Sequence, residues 1–172
     1  MDPDIAFRVA DVLQHRLTSL IDLQLTLKHI HWNVVGPHFI GVHEMLDPQV
    51  DEVRLMTDDL AERIATLGSV PSGLPGFVAK NRGWDDYSLG RAQTQEHLAA
   101  LNIVFDGVIT DHRQAIQEFE ELDLVSQDLL IAQTEKLEMY QWFVRAHLED
   151  DQGQITGGDA HTEEGAADAA SA

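Results

Sequence analysis

The chain contains no cysteine, which removes disulfides, thiolate metal ligands and thiol nucleophiles together. Basic residues are scarce: 11 against 30 acidic ones leave a formal charge of −19, which argues against non-specific binding to nucleic acid or anionic membranes. No run approaches the roughly 18 apolar residues of a membrane span. The start, Met1-Asp2-Pro3-Asp4, lacks the basic and then apolar pattern of a secretory signal. A cytoplasmic location is the expectation. A length of 172 residues fits one domain with a single sizeable core.

Strand-like alternation is also missing, and helical periodicity is what remains. Asp2 or Asp4 suits the cap of a first helix with Pro3 in its first turn. Apolar positions from Val9 through Ile30 carry that helix to Val35, where Gly36-Pro37 stops it. A second helix is predicted from about Phe39 to Leu67, ending at Gly68; Pro48 should bend it beside Asp47. Residues 68–87 are rich in Gly and Pro, a connection long enough to cross a bundle and leave the second and third helices parallel. A short helical turn around Phe77 to Lys80 fits within it. Ser88 is the expected cap of a third helix reaching about Glu121, and Asp123 that of a fourth reaching about Leu148. The fold class is therefore all-α: four long helices with one long crossover over residues 1–149. Residues 150–172 form an acidic Gly/Ala-rich tail whose composition reads as disordered.

His31, His43, Asp47, Asp58 and Glu62 offer the chemistry of a first-row metal site. Each helical residue turns about 100° and rises about 1.5 Å, so His43, Asp47, Asp58 and Glu62 share one stripe of the second helix. Asp47 and Asp58 are nevertheless roughly 16 Å apart along the axis, too far for one site. The stripe divides into a His/Asp half and an Asp/Glu half. An identical chain packed antiparallel across a two-fold axis would unite opposite halves into two equivalent sites. Imidazole with carboxylate suits iron, zinc or manganese, and open positions on such a set suit Fe(II) meeting an oxidant. Paired acids on a helix are also common surface decoration. None of the nine histidines has a Glu three residues before it, so the Glu-x-x-His site of an ordinary di-iron bundle is excluded.

The segment His31-Trp32-Asn33, the segment Phe39-Ile40-Gly41-Val42-His43-Glu44-Met45-Leu46-Asp47, the pattern Asp58-x-x-x-Glu62-Arg63 and Gln141-Trp142-Phe143 closely resemble the Dps family of mini-ferritins, over roughly residues 5 to 149. The resemblance implies a ferritin-like four-helix bundle with a short helix in its crossover, assembled into a hollow homododecamer. It also implies a ferroxidase that oxidises Fe²⁺ to Fe³⁺ with hydrogen peroxide or oxygen and stores the mineral, protecting against oxidative stress. His31, His43 and Asp47 would be ligands from one subunit, with Asp58 and Glu62 supplied by its two-fold partner. Other divalent metals such as Zn²⁺ are compatible with the same ligands. Acidic residues at the start of the fourth helix, here Asp123 and Asp128, would line a pore through which Fe²⁺ enters. Without the resemblance they complement the helix dipole.

Trp32 follows His31 and suits either shielding of the shared site, ordinary interface packing or capture of oxidising equivalents that escape iron. His29 lies roughly 200° around the helix from His31 and cannot share its metal. His38, His97, His112 and His147 read as surface or interface residues. Many Dps proteins are understood to hold DNA through Lys- or Arg-rich termini; the tail here carries seven acidic and no basic residues from Glu149 onward, so tight DNA binding is not expected. Two other readings compete with iron oxidation: a nucleoid-binding structural protein that compacts DNA, and a bundle with a structural or zinc-only site.

Overall fold

The computed structural model describes residues 1–171. Four long helices form a bundle: α1 (Pro3–Asn33), α2 (Phe39–Thr66), α4 (Thr94–Phe119) and α5 (Leu124–Leu148). A short helix, α3 (Pro75–Asn81), sits in the long connection between α2 and α4, as the Gly/Pro-rich segment required. Asp2 caps α1 by accepting from the Asp4 N–H at 2.9 Å, with Pro3 in the first turn. Pro supplies a preset φ there and forfeits no helical hydrogen bond. Gly36 and Gly68 both take positive φ and end α1 and α2 where an L side chain would be strained. Helix α2 runs unbroken through Pro48.

Two-residue strands β1 (Val34–Val35) and β2 (Ala92–Gln93) pair in parallel, Val34 with Ala92 and Val35 with Gln93. Alternation cannot announce strands this short. Each leads into a helix start, so α2 and α4 begin at the same end of the bundle and run parallel. Leu13, Leu20, Leu27, Leu46, Leu60 and Phe105, from three helices, are fully buried in one shared core. No helix among the described residues is long and apolar enough to cross a membrane.

Three sequence expectations change. Helix α4 begins at Thr94 rather than just after Ser88. Gln93 and Glu96 form a reciprocal capping box, in which the Gln93 N–H donates to Glu96 at 2.6 Å. That box satisfies two helix-end donors at once and outcompetes a lone serine. Ser88 instead donates its N–H and its hydroxyl to Glu163.

The second change is that the acidic tail is folded back, apart from Ala172, which lies outside the described residues. Helix α6 (Glu163–Ser171) packs Ala166 and Ala167, both buried, against α4. The Ser171 hydroxyl donates to Glu96 at 2.8 Å. Alanines let two helix backbones approach closely, so a segment too polar to fold alone is held by an existing surface.

Third, His97 and His112 are core residues, fully buried on α4. Sequence periodicity treats histidine as polar, whereas a neutral imidazole with a hydrogen-bond partner is admissible inside. Burial pushes His112 down to about 4, with the charge of Arg16 acting in the same direction. Its Nδ1–H donates to the Val108 carbonyl at 3.0 Å.

Candidate metal centre

Gly36, Pro37 and left-handed His38 turn the chain between α1 and α2, and this tight turn lays the end of α1 against the start of α2. His31 is buried and His43 half-buried. The two imidazoles stack with centroids 3.6 Å apart and planes 22° from parallel. His31 Nδ1–H donates to the His43 carbonyl at 2.9 Å, and His43 Nδ1–H donates to the His31 carbonyl at 2.9 Å. A proton held on Nδ1 leaves Nε2 of each ring with its lone pair free, which is the state a metal ligand requires. Phe39 tilts against His43 at 5.0 Å and limits the ring's freedom on its outer side.

Asp47 lies one turn beyond His43, with its Oδ1 3.3 Å from His31 Nδ1. It is exposed and accepts from Lys28 Nζ at 2.9 Å. That bond holds the carboxyl below its usual range, against a smaller desolvation effect and with help from the nearby histidines. The same ammonium sits 5.9 Å from the centre of the Trp32 ring. Trp32 itself is 70% exposed in the single subunit, far more than a large apolar ring gains from facing water.

Asp58 and Glu62 stand exposed on α2, about four and five turns beyond His43. Asp58 borders a groove of about 680 Å³ whose walls include Leu17, Ile21, Leu55 and Pro71. Thus the structure gathers His31, His43 and Asp47 and leaves Asp58 and Glu62 on a separate stretch of the same helix. Among the described residues, no three His, Asp or Glu side chains of one chain form a metal-sized cluster.

A family model described as a ferritin-like domain matches residues 10–153. A Mycolicibacterium smegmatis protein named DNA protection during starvation protein is 62% identical over 162 residues, spanning 94% of this chain and 88% of its own length. The structure of Mycobacterium smegmatis Dps matches with a TM-score of 0.93 at 59% identity, over 94% of this chain and 93% of that one. Dps from Microbacterium arborescens in the high iron form matches with a TM-score of 0.81 at 32% identity, over 87% and 98% of the two chains. The chain belongs to the Dps family of ferritin-like proteins.

Within this Dps-family subunit the two acids at the start of α5 occupy different environments. Asp123 is buried at the helix N-cap, accepting from the Ser126 N–H at 3.1 Å and from Arg63 Nη2 at 2.6 Å. Burial works against its charge, but the Ser126 and Arg63 hydrogen bonds outweigh it and lower the carboxyl. Asp128, one turn on, is exposed.

Sequence reasoning passed over Lys28 and Phe39. Lys28 stands at i−3 from His31, a spacing that puts both on one helix face, and that signal was available. Phe39 stands at i−4 from His43 by the same rule, but an aromatic in a helical stripe does not reveal whether it faces core or ligand.

Proposed function

We propose that two copies of this Dps-family chain pair about a two-fold axis and oxidise Fe²⁺ at sites they share. His31, His43 and Asp47 come from one subunit, and Asp58 and Glu62 from the other. The observation that carries this reading is the reciprocal His31–His43 exchange, which leaves an unprotonated Nε2 on each ring, with the Asp47 carboxylate 3.3 Å from His31 Nδ1 on the neighbouring turn. Iron is the substrate here. Imidazole and carboxylate without thiolate fit Fe²⁺ and the harder Fe³⁺ alike, and Zn²⁺ is an expected competitor for the same ligands.

The residues divide the work. The histidines are fixed by backbone carbonyls and so need no rearrangement to bind, and Asp47 is held in place by Lys28 until a cation displaces the ammonium. Asp58 and Glu62 of the second subunit supply the remaining negative charge, stabilising the gain of charge as Fe²⁺ becomes Fe³⁺. Two irons per site allow hydrogen peroxide or oxygen to be reduced two electrons at a time. The exposed Trp32, Leu25 and Leu55 and the groove beside Asp58 favour burial against another subunit.

The wider reading is a cytoplasmic homododecameric cage that stores ferric mineral and protects against oxidative stress, with Fe²⁺ entering by pores that include the exposed Asp128 and, behind it, Asp123. DNA is not a tight partner, given the charge of −19. A stoichiometric anaerobic titration of Fe²⁺ with peroxide, followed optically, tests the proposal: about two irons oxidised per peroxide is expected. Metal bound without any oxidation would return the site to a zinc-type or structural role. A nucleoid-compacting role would require stable DNA complexes.

A further inference from the structure

The face of α2 that bears the ligands also carries a pair of opposite charges. Taking His43 as zero, Asp47, Asp51, Arg54, Asp58 and Glu62 fall at roughly 40°, 80°, 20°, 60° and 100° around the helix, so all six share one stripe. Val53, Leu60 and Ile64 lie on the far side, buried in the core. Asp51 and Arg54 are both exposed, and both border the groove of about 680 Å³ beside Asp58. Of the two arginines on α2, Arg63 is held by Asp123. Arg54 is the other.

An Asp and an Arg three residues apart ordinarily pair along their own helix or stay solvated. Among the described residues, neither Asp51 nor Arg54 belongs to an ion pair. Two opposite charges are therefore free on the face that a shared metal centre sets against a second copy of itself.

Their positions decide what each one meets. A two-fold axis that unites His43 with Glu62 of the partner subunit, and Asp47 with Asp58 of the partner subunit, passes α2 midway between Glu52 and Val53. Asp51 and Arg54 stand at equal distances on either side of that point, roughly 2 Å along the helix. Antiparallel pairing about the axis brings each level with the other's copy. We propose that Asp51 of each subunit pairs with Arg54 of the partner subunit, and that these two ion pairs set the register in which the halves of the metal centre meet. This rests on the shared-site reading above and deepens it.

The stripe would otherwise press carboxylate against carboxylate. Asp47, Asp51, Asp58 and Glu62 of both chains converge on one seam, and like charges at close range repel. Arg54 puts the opposing charge at the centre of that seam, where Leu17, Ile21 and Leu55 along the groove limit screening by water and salt. Slipping one helix by a turn in one direction sets Asp51 against Asp58 of the partner subunit and Asp47 against Glu62 of the partner subunit, acid on acid. Slipping it the other way leaves Glu62 opposite Phe39 of the partner subunit and Asp51 without its cation. Only the centred register satisfies ligands and charges together.

Charge exchange tests the pairing in the assembled protein. Asp51→Arg faces Arg54 with a second arginine at every contact, and Arg54→Asp faces Asp51 with a second acid. Calorimetric Zn²⁺ titration at low ionic strength should find each single variant at least about tenfold weaker than wild type, with smaller species in sedimentation and helical content unchanged by circular dichroism. The double exchange, Asp51→Arg with Arg54→Asp, restores opposite charges at both contacts and should bring binding and assembly back to near wild type. A co-refolded mixture of the two single variants should recover as well, because only the mixed dimer matches its charges. Single variants that bind and assemble like wild type overturn the ion pairs and leave the shared site standing. A double exchange as weak as the single ones also overturns them, since residues needed only within their own subunit are not rescued by exchange. No metal binding and no iron oxidation by the wild type overturns both.

Discussion

His31 and His43 each give their ring proton to the other's backbone carbonyl, at 2.9 Å in both directions. The backbone of each ligand therefore orients the ring of its neighbour, and neither ring can rotate without breaking the bond it donates. Replacing either residue by alanine keeps the carbonyl that accepts from the other ring but removes one Nε2 and that ring's stacking partner at 3.6 Å, so single alanine variants should lose metal affinity by more than one ligand's share. Calorimetric Zn²⁺ titrations should show His31→Ala and His43→Ala each weakening binding by at least tenfold. The double variant should be little worse than either single one. Additive losses would argue against the coupling.

Shared sites make a sharper prediction. A variant carrying His43→Ala and Asp47→Ala lacks one half of every site, and one carrying Asp58→Ala and Glu62→Ala lacks the other. Each alone should oxidise iron poorly. Co-refolded mixtures should recover toward about a quarter of wild-type activity, because random pairing makes about half the dimers mixed and each of those has one intact site of two. No recovery, with mixed dimers demonstrated, would rule out a site built from two chains.

The two acids at the head of α5 should separate in behaviour. Asp123→Asn keeps a competent N-cap but removes the charge paired with Arg63, costing about 1–3 kcal/mol with a visible fall in Tm. Asp128→Asn touches neither, so its effect should fall on iron uptake at low iron concentration, with Tm unchanged. Normal uptake by the Asp128 variant would return that residue to a surface role.

His112 should make stability depend on acid pH. It titrates near 4 in the fold against an ordinary value of 6.5, so between these values the unfolded chain binds a proton that the native chain refuses. Stability is therefore full above about pH 6.5 and falls as pH drops toward 4, by at most roughly 3 kcal/mol per subunit. Thermal melts of His112→Gln over this range should be flatter than those of the wild type. Parallel curves would show that other groups carry the acid sensitivity.

DNA binding should be absent even at low salt without divalent cations, where attraction to phosphate is otherwise strongest. Grafting a Lys-rich segment after Glu149 should restore measurable affinity in mobility-shift assays. A stable complex with the unaltered protein would refute the charge argument.

The sequence alone determined what depends on neighbours within a turn or two. Asp2-Pro3, Gly36-Pro37, Gly68 and Asp123 mark helix ends because caps, fixed φ and positive φ are local requirements. The i,i+4 spacings of His43 with Asp47 and of Asp58 with Glu62 place each pair on one helix face whatever the helix packs against. The long Gly/Pro-rich connection likewise implied parallel α2 and α4. Only the tertiary structure decided which groups meet across the fold. His31 and His43 exchange carbonyls through a turn whose geometry no spacing rule fixes. Asp123 is claimed by Arg63, 60 residues away in sequence, and Glu163 by Ser88 at a separation of 75. His97 and His112 are buried because their positions on α4 face the core, where desolvation keeps them neutral, and the tail folds because α4 offers its alanines a surface. Hydrogen bonds and burial depend on distance in space, and a sequence states distance only along the chain.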